Sequence, residues 1–195
     1  TMTFTIYVEP CIVTSLTPIP IADLTYIIGS AGQTSEQYLF EADPVCGYEQ
    51  ANTVSGLTPF IVHDSARSVF EVPLTQDLAL HGVYVITVRS EISMPTDHTK
   101  SSYETISAEF TVQVAMVNPC FTATLSAFTV ADMEQEVLAA AKSQTFSVVQ
   151  DSASQSYGNL DGFTYCGARQ IELTTDAALY SAFLAFDPVT FTATV

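Results

Sequence analysis

Pro10-Cys11-Ile12-Val13-Thr14-Ser15-Leu16-Thr17-Pro18-Ile19-Pro20-Ile21-Ala22-Asp23-Leu24 returns further along the chain as Pro119-Cys120-Phe121-Thr122-Ala123-Thr124-Leu125-Ser126-Ala127-Phe128-Thr129-Val130-Ala131-Asp132-Met133. Counted from the cysteine, Leu16 and Leu125 hold the same offset, and Ile21-Ala22-Asp23-Leu24 matches Val130-Ala131-Asp132-Met133. Each copy later has a second cysteine followed by glycine, Cys46-Gly47 and Cys166-Gly167. Ahead of each Pro-Cys lies the same kind of run, Thr3-Phe4-Thr5-Ile6-Tyr7-Val8 in one copy and Glu109-Phe110-Thr111-Val112-Gln113-Val114 in the other. The chain therefore reads as a tandem repeat with a period of 109 residues, Cys11 to Cys120. This sets the expected organisation: a linking strand over 1–10, one unit over 11–118 and a second over 119–195.

The runs that fill each unit alternate β-branched or aromatic residues with Thr or Ser, as in residues 3–8, 83–88 and 190–195. Period two with this composition is the pattern of half-buried antiparallel strands. Turn signals separate them at short spacing, among them Thr17-Pro18, Gly29-Ser30-Ala31-Gly32, Asp43-Pro44, Ser55-Gly56, Tyr157-Gly158-Asn159 and Asp187-Pro188. Many short strands at that spacing predict an all-β chain of antiparallel β-sandwiches. Residues 131–142 are good helix formers without a breaker, yet the repeat aligns them with the strand-like Ala22-Asp23-Leu24-Thr25-Tyr26-Ile27-Ile28. Composition favours helix there and alignment favours strand; strand is the expectation.

The 195 residues carry 5 Lys+Arg against 21 Asp+Glu, a net charge of −16 and a pI near 4.1. A surface so negative repels phosphate backbones, which argues against nucleic acid as a partner. Hydrophobic residues make up 48% of the chain, so there is a core to bury and an acidic disordered tail is excluded. No apolar run approaches the roughly 18–20 residues that span a bilayer as a helix. The chain opens at Thr1 without a charged n-region or an apolar h-region, and reads as a processed mature chain or a segment of something longer. Four cysteines and very little lysine fit an extracellular setting.

Four cysteines allow three pairings, of which only Cys11–Cys46 with Cys120–Cys166 builds both units alike. Each bridge would stabilise its unit by about 3–4 kcal/mol through the chain entropy of the unfolded state. The look of the chain resembles the immunoglobulin-like and cadherin-like sandwiches strung together in extracellular adhesins and surface filaments. Two departures limit what the resemblance implies. The chain has no Trp for an antibody-type core, and no Asp-x-Asp or Asp-x-Asn-Asp calcium motif near Val117-Asn118-Pro119. It implies the class of extracellular β-repeat, without either family's ligand or calcium site.

In this reading the first unit closes with 83–88, a long polar loop over 90–105, then 109–114. The second unit stops after 190–195, where the equivalent of 109–114 should follow, and so lacks its last strand. Residues 3–8 match that strand and stand ahead of any unit they could close. An open sandwich exposes apolar side chains and unpaired backbone, so something must fill it. Either the next residues of a longer chain of repeats do so, or Thr3, Phe4, Thr5, Ile6, Tyr7 and Val8 of one copy insert into the second unit of its neighbour by β-augmentation. A head-to-tail contact of that kind does not close on itself and makes a filament.

Catalytic motifs are missing: there is no Gly-x-Ser-x-Gly elbow, phosphate-binding loop or His-Glu-x-x-His stretch. His63-Asp64-Ser65 places neighbours on opposite faces of a strand and does not make a triad. No enzyme activity and no cofactor are expected. Asp132, Glu134 and Glu136 would share one face of a strand, which makes them the candidate calcium ligands; a solvated acidic face is the plainer reading. None of Asn52, Asn118 and Asn159 begins an Asn-x-Ser/Thr sequon. O-linked glycans are expected, if anywhere, on Ser93, Thr96, Thr99, Ser101 and Ser102 of the polar loop. Tyr26, Tyr38, Phe40, Tyr48, Phe60, Phe70 and Tyr84 follow the strand alternation and are expected in the first core. The function this predicts is a structural subunit of an extracellular filament or surface appendage, bound head-to-tail to copies of itself. The alternative is an adhesin that presents residues 90–105 to a glycan or protein.

Overall fold

The computed structural model describes residues 2–6, 8–97, 99–125, 133–136, 139–146, 150–158, 165–167, 184–187 and 189–195. The chain divides into two compact units, Thr1–Asn118 and Pro119–Val195. The described structure is mostly β, as the alternation predicts, with one short α-helix.

Unit 1 is built from β1 (Ser15–Ile19), β2 (Leu24–Ile27), β3 (Gln33–Thr34), β4 (Leu39–Asp43), β5 (Gln50–Ser55), β6 (Val62–Asp64), β7 (Val69–Val72), β8 (Gly82–Pro95) and β9 (Tyr103–Val117). One sheet has the order β2-β9-β8-β5, with β2 parallel to β9 and the other neighbours antiparallel. On the other side β1 pairs with β4, and β7 pairs with β3 on one edge and β6 on the other. β3 and β4 are one pass of chain interrupted at residues 35–38. Its backbone stays beside β7 through Ser35 N–H to Phe70 C=O (2.8 Å) and Tyr38 N–H to Ser68 C=O (3.1 Å). The buried Ser35 hydroxyl accepts from Phe70 N–H (2.9 Å) and fills the gap in the ladder.

The core forms where strands of both groups turn their alternate side chains inward. Ile86, Val88, Ile92 and Met94 of β8 and Phe110, Val112, Val114 and Met116 of β9 meet Phe40 of β4 and Phe70 and Val72 of β7. Tyr38 sits at the centre, its ring 5.8 Å from Phe70 and 5.7 Å from Phe110. All seven aromatic residues picked from the alternation lie in this core or against it. Each such side chain, fully buried, contributes about 1.5–3 kcal/mol.

The polar loop expected over 90–105 is largely strand. β8 and β9 form a hairpin whose ladder runs from Gly82↔Met116 to Pro95↔Tyr103, leaving only residues 96–102 as a loop. The reason is that the inward alternation continues past Val88 through Ser90, Ile92 and Met94, all buried, while the polar Ser93 and Thr105 pair on the solvent side. Ser90 is fully buried and its hydroxyl has no hydrogen-bond partner. An unpaired buried hydroxyl is destabilising, so Ser90→Ala should raise the stability of unit 1 by about 1 kcal/mol, measured by denaturant titration.

In unit 2, β10 (Ser143–Thr145), β11 (Ala185–Asp187) and β12 (Thr192–Thr194) form a sheet of order β10-β12-β11. β11 and β12 make a hairpin across the Asp187-Pro188 turn signal; Pro188 itself lies outside the described residues. The helix α1 (Ser152–Tyr157) is not anticipated from the alternation. Asp151 caps its N-terminus, accepting from Ser154 N–H (2.6 Å), and Gly158 at φ 84° ends it. The stretch aligned to β2 is not a strand where it is described: residues 133–136 and 139–142 are in neither helix nor strand, while 131, 132, 137 and 138 lie outside the described residues. There Gln135 Nε2 donates to Ala140 C=O (2.9 Å) and Lys142 Nζ to Glu134 C=O (2.6 Å). Side chains satisfy the carbonyls that a ladder or helix would otherwise use.

Candidate functional site

Residues 2–6 and 8 belong to no strand of the described chain. Their alternate side chains are nonetheless large and apolar, and they face solvent: Met2 is 99% exposed, Phe4 83%, Ile6 71% and Val8 78%. Thr3 and Thr5 occupy the intervening positions; Tyr7 lies outside the described residues. A period-two apolar face left in water is costly, and in a strand it would lie wholly on one side. The matching motif in β9 makes the contrast direct. Phe110, Val112 and Val114, in the pattern positions of Phe4, Ile6 and Val8, are exposed by 9%, 0% and 0%.

The second surface is the tip of the β8–β9 hairpin. Asp97 organises it: the carboxylate accepts from Ser101 Oγ (2.6 Å), Thr99 Oγ1 (2.6 Å), Ser102 Oγ (2.8 Å), Thr99 N–H (2.9 Å) and Ser101 N–H (3.1 Å). Those bonds, the Ser101 hydroxyl first, hold its carboxyl far below the usual carboxylate range. Thr96 Oγ1 lies 2.5 Å from Ser102 Oγ. Of the hydroxyls picked for O-glycans, Thr96, Thr99, Ser101 and Ser102 are thus drawn together at the tip, and Ser93 stands apart in β8. The Asp-x-Thr-x-Ser spacing from Asp97 was the available signal for this staple. A groove of about 520 Å³ beside it is lined by Val8, Tyr48, Ser93, Asp97, Lys100 and Tyr103, among others.

The remaining candidates are accounted for by structure. Asp64 accepts from the backbone of Ala66 and Arg67 and from Arg67 Nε (2.6 Å), and Arg67 also pairs with Glu71, so Asp64 does not orient His63. His63 instead stacks on Tyr38 (5.9 Å) and lies tilted beside Phe70 (5.3 Å), with Nε2 2.7 Å from the Tyr38 hydroxyl. Burial raises the Tyr38 phenol, which therefore stays protonated beside the imidazole. His81 Nδ1 lies 2.9 Å from Met116 C=O, and His98 lies outside the described residues. Glu134 and Glu136 are exposed; Asp132, the third of the calcium candidates, lies outside the described residues. Among the described residues no three His, Cys, Asp or Glu are grouped closely enough to hold a metal ion.

Both disulfides are formed as the repeat predicts, Cys11–Cys46 and Cys120–Cys166. No helix among the described residues is long and apolar enough to cross a membrane.

The histidine and the tip carboxylate define a pH response of unit 1. Burial lowers the His63 pKa from its ordinary 6.5, with Asp64 opposing. The folded unit thus disfavours the proton, and this stabilisation is present above pH 6.5 and lost as pH falls. Asp97 is depressed from 3.8, so its share is present above that value and is lost only in stronger acid. Thermal melts across the pH range should show two separate declines, and His63→Gln should remove the upper one.

No protein-family model matches the chain, and no curated protein matches it.

Proposed function

We propose that the chain is a structural subunit of an extracellular filament or surface appendage. Its units are immunoglobulin-like sandwiches, and residues 2–8 supply the closing strand of a unit other than their own. The observation that carries the reading is the exposed apolar alternation of Met2, Phe4, Ile6 and Val8 beside its buried counterpart in β9. In unit 1 the counterpart is the strand that holds the larger sheet together, between β2 and β8. A unit lacking it would have half a core, and a segment carrying only that pattern gains most by lying in such a unit.

The topology of unit 1 supports the sandwich assignment. The orders β2-β9-β8-β5 and β1-β4/β3-β7-β6 correspond to a sheet of strands A′GFC against one of ABED, with the first strand split between the two sheets. Two disulfides and the acidity fit an oxidising, extracellular setting, where mutual repulsion keeps long polymers from clumping. The connection runs head-to-tail, either between separate copies or in covalent sequence between repeats of a longer chain.

Deleting residues 1–9 tests this. Unit 1 should keep its fold, since those residues pair with none of its strands, and end-to-end association should be lost. Fibres of normal length from the deleted chain, seen by electron microscopy, would falsify strand complementation. The intact mass of the denatured, unreduced protein separates copies near 21.0 kDa from one giant chain of repeats.

A second reading rests on the tip. A loop ordered by five bonds to Asp97, beside a groove with Tyr103 60% exposed, suits an adhesive surface that contacts a glycan or protein. Replacing residues 96–102 by a two-residue turn leaves a filament intact and abolishes adhesion.

A further inference from the structure

β9 pairs with β8 from Tyr103 to Met116 but meets β2 only over Val114–Val117. Gln113 N–H donates to Asp23 Oδ1 (2.8 Å) and Val117 C=O accepts from Ile28 N–H (3.0 Å), so the odd-numbered residues of β9 direct their backbone groups away from β8. Thr105, Ser107, Glu109 and Thr111 therefore present N–H and C=O groups along an edge with which no described strand pairs. β1 passes nearby but is paired with β4 in the other layer. Tyr103 to Thr111 contains no Pro, no Lys and no bulge in its ladder with β8, and its only charged side chains are Glu104 and Glu109.

We propose that this edge pairs antiparallel with the same edge of a second copy about a twofold axis at Ala108, joining the two four-stranded sheets into one. The register follows from the side chains. Open backbone groups meet only if odd residues stand opposite odd residues. With Ala108 opposite itself, Thr105 faces Thr111 and Ser107 faces Glu109 on the solvent side, while Ile106 faces Phe110 on the core side. An axis at Glu109 would set two carboxylates against each other, and an axis at Ser107 would set Glu104 against Phe110. The chosen register places no carboxylate opposite another and brings a small residue to the crossing point. A twofold contact of this kind is self-complementary and closes as a dimer, so it is lateral and separate from any head-to-tail contact through residues 2–8. Two chains of charge −16 repel at long range, and the pairing therefore strengthens as salt screens them.

Cross-linking of the full-length chain tests the register. Residues opposite each other on the axis come within about 4.5 Å, inside the reach of a disulfide. Ala108→Cys should give a disulfide-linked dimer under mild oxidation, and Ile106→Cys, which faces Phe110, should not. In sedimentation experiments Ser107→Glu, which creates two like-charge pairs with Glu109, should weaken association about fivefold; Ser107→Lys should strengthen it about fivefold. The opposite signs separate pairing from misfolding. A chain that stays monomeric at high salt, equal cross-linking at 106 and 108, or both Ser107 variants shifting association the same way overturns the proposal. Association that vanishes when residues 1–9 are removed and ignores Ser107 also overturns it, because the edge would then be filled by the N-terminal segment of another copy.

Discussion

Replacing Gly56 with alanine is expected to destabilise unit 1 by about 3–5 kcal/mol. Gly56 follows β5 directly and has φ +83°, a conformation that costs an L-residue about 1–2 kcal/mol. The steric part is worse. A Cβ built there would lie 2.2 Å from Val85 C=O oxygen and 3.3 Å from Ile86 Cα, both backbone atoms of β8, so no side-chain rotation relieves the contact. The strand end must move away from β8, and with it the β5–β8 ladder that edges the larger sheet. Gly47→Ala is the matched control. It has φ +72° but open space around the new methyl, so it should cost only about 1 kcal/mol. The melting temperature of unit 1 should fall by roughly 10–20 °C for Gly56→Ala and by a few degrees for Gly47→Ala. Equal losses would mean that the backbone conformation, and not the approach to β8, sets the requirement.

What the residues disclosed beforehand follows a physical division. The all-β class, the two disulfides and the aromatic core of unit 1 were legible, because alternation, cysteine position and ring-bearing strand positions are local signals. The length of the β8–β9 hairpin was not. Ser90, Ser93 and Thr105 look like loop residues when read alone, and only the tertiary context shows Ser90 turned inward between Val88 and Ile92. The parallel pairing of Leu24 with Val114 joins residues far apart in sequence, and no local pattern encodes it. α1 was missed although its signals are present, an aspartate cap at 151 and a glycine at 158, because the surrounding strand alternation took precedence. The 131–142 stretch satisfied neither of the two expectations wherever it is described: composition argues for a helix, but its carbonyls at 134 and 140 are taken by side chains instead. Of the candidate surfaces, the N-terminal segment was readable from its pattern, whereas Asp97, Lys100 and Tyr103 line one groove with Tyr48 only once the hairpin is formed.

Removing the second disulfide is expected to unfold unit 2 while leaving unit 1 intact, and removing the first should only weaken unit 1. The sequence separations are 35 residues for Cys11–Cys46 and 46 for Cys120–Cys166, so the chain-entropy contribution of each is similar, about 4 kcal/mol. The outcomes differ because of what each bridge adjoins. Unit 1 has an extensive buried core running from Val13 to Met116, and the five-residue β1–β4 ladder alongside the Cys11–Cys46 bridge. In unit 2 the described residues Pro119, Ala153, Tyr165 and Ala193 are buried, and Tyr165 is the immediate neighbour of Cys166. Its N–H donates to the buried Ser154 hydroxyl of α1 (2.6 Å), and Ser154 N–H in turn donates to the Asp151 cap. The bridge therefore anchors the helix as well as closing the loop. For a unit near the usual 5–15 kcal/mol of total stability, losing about 4 kcal/mol together with that anchor crosses the threshold. The paired Cys120→Ser/Cys166→Ser variant should show a protease-sensitive unit 2 and an unchanged unit 1 transition. Cys11→Ser/Cys46→Ser should lower the unit 1 melting temperature without making it protease-sensitive at room temperature. Loss of both units together in either variant would show that they fold as one cooperative body, and that the unit boundary between Asn118 and Pro119 does not divide stability.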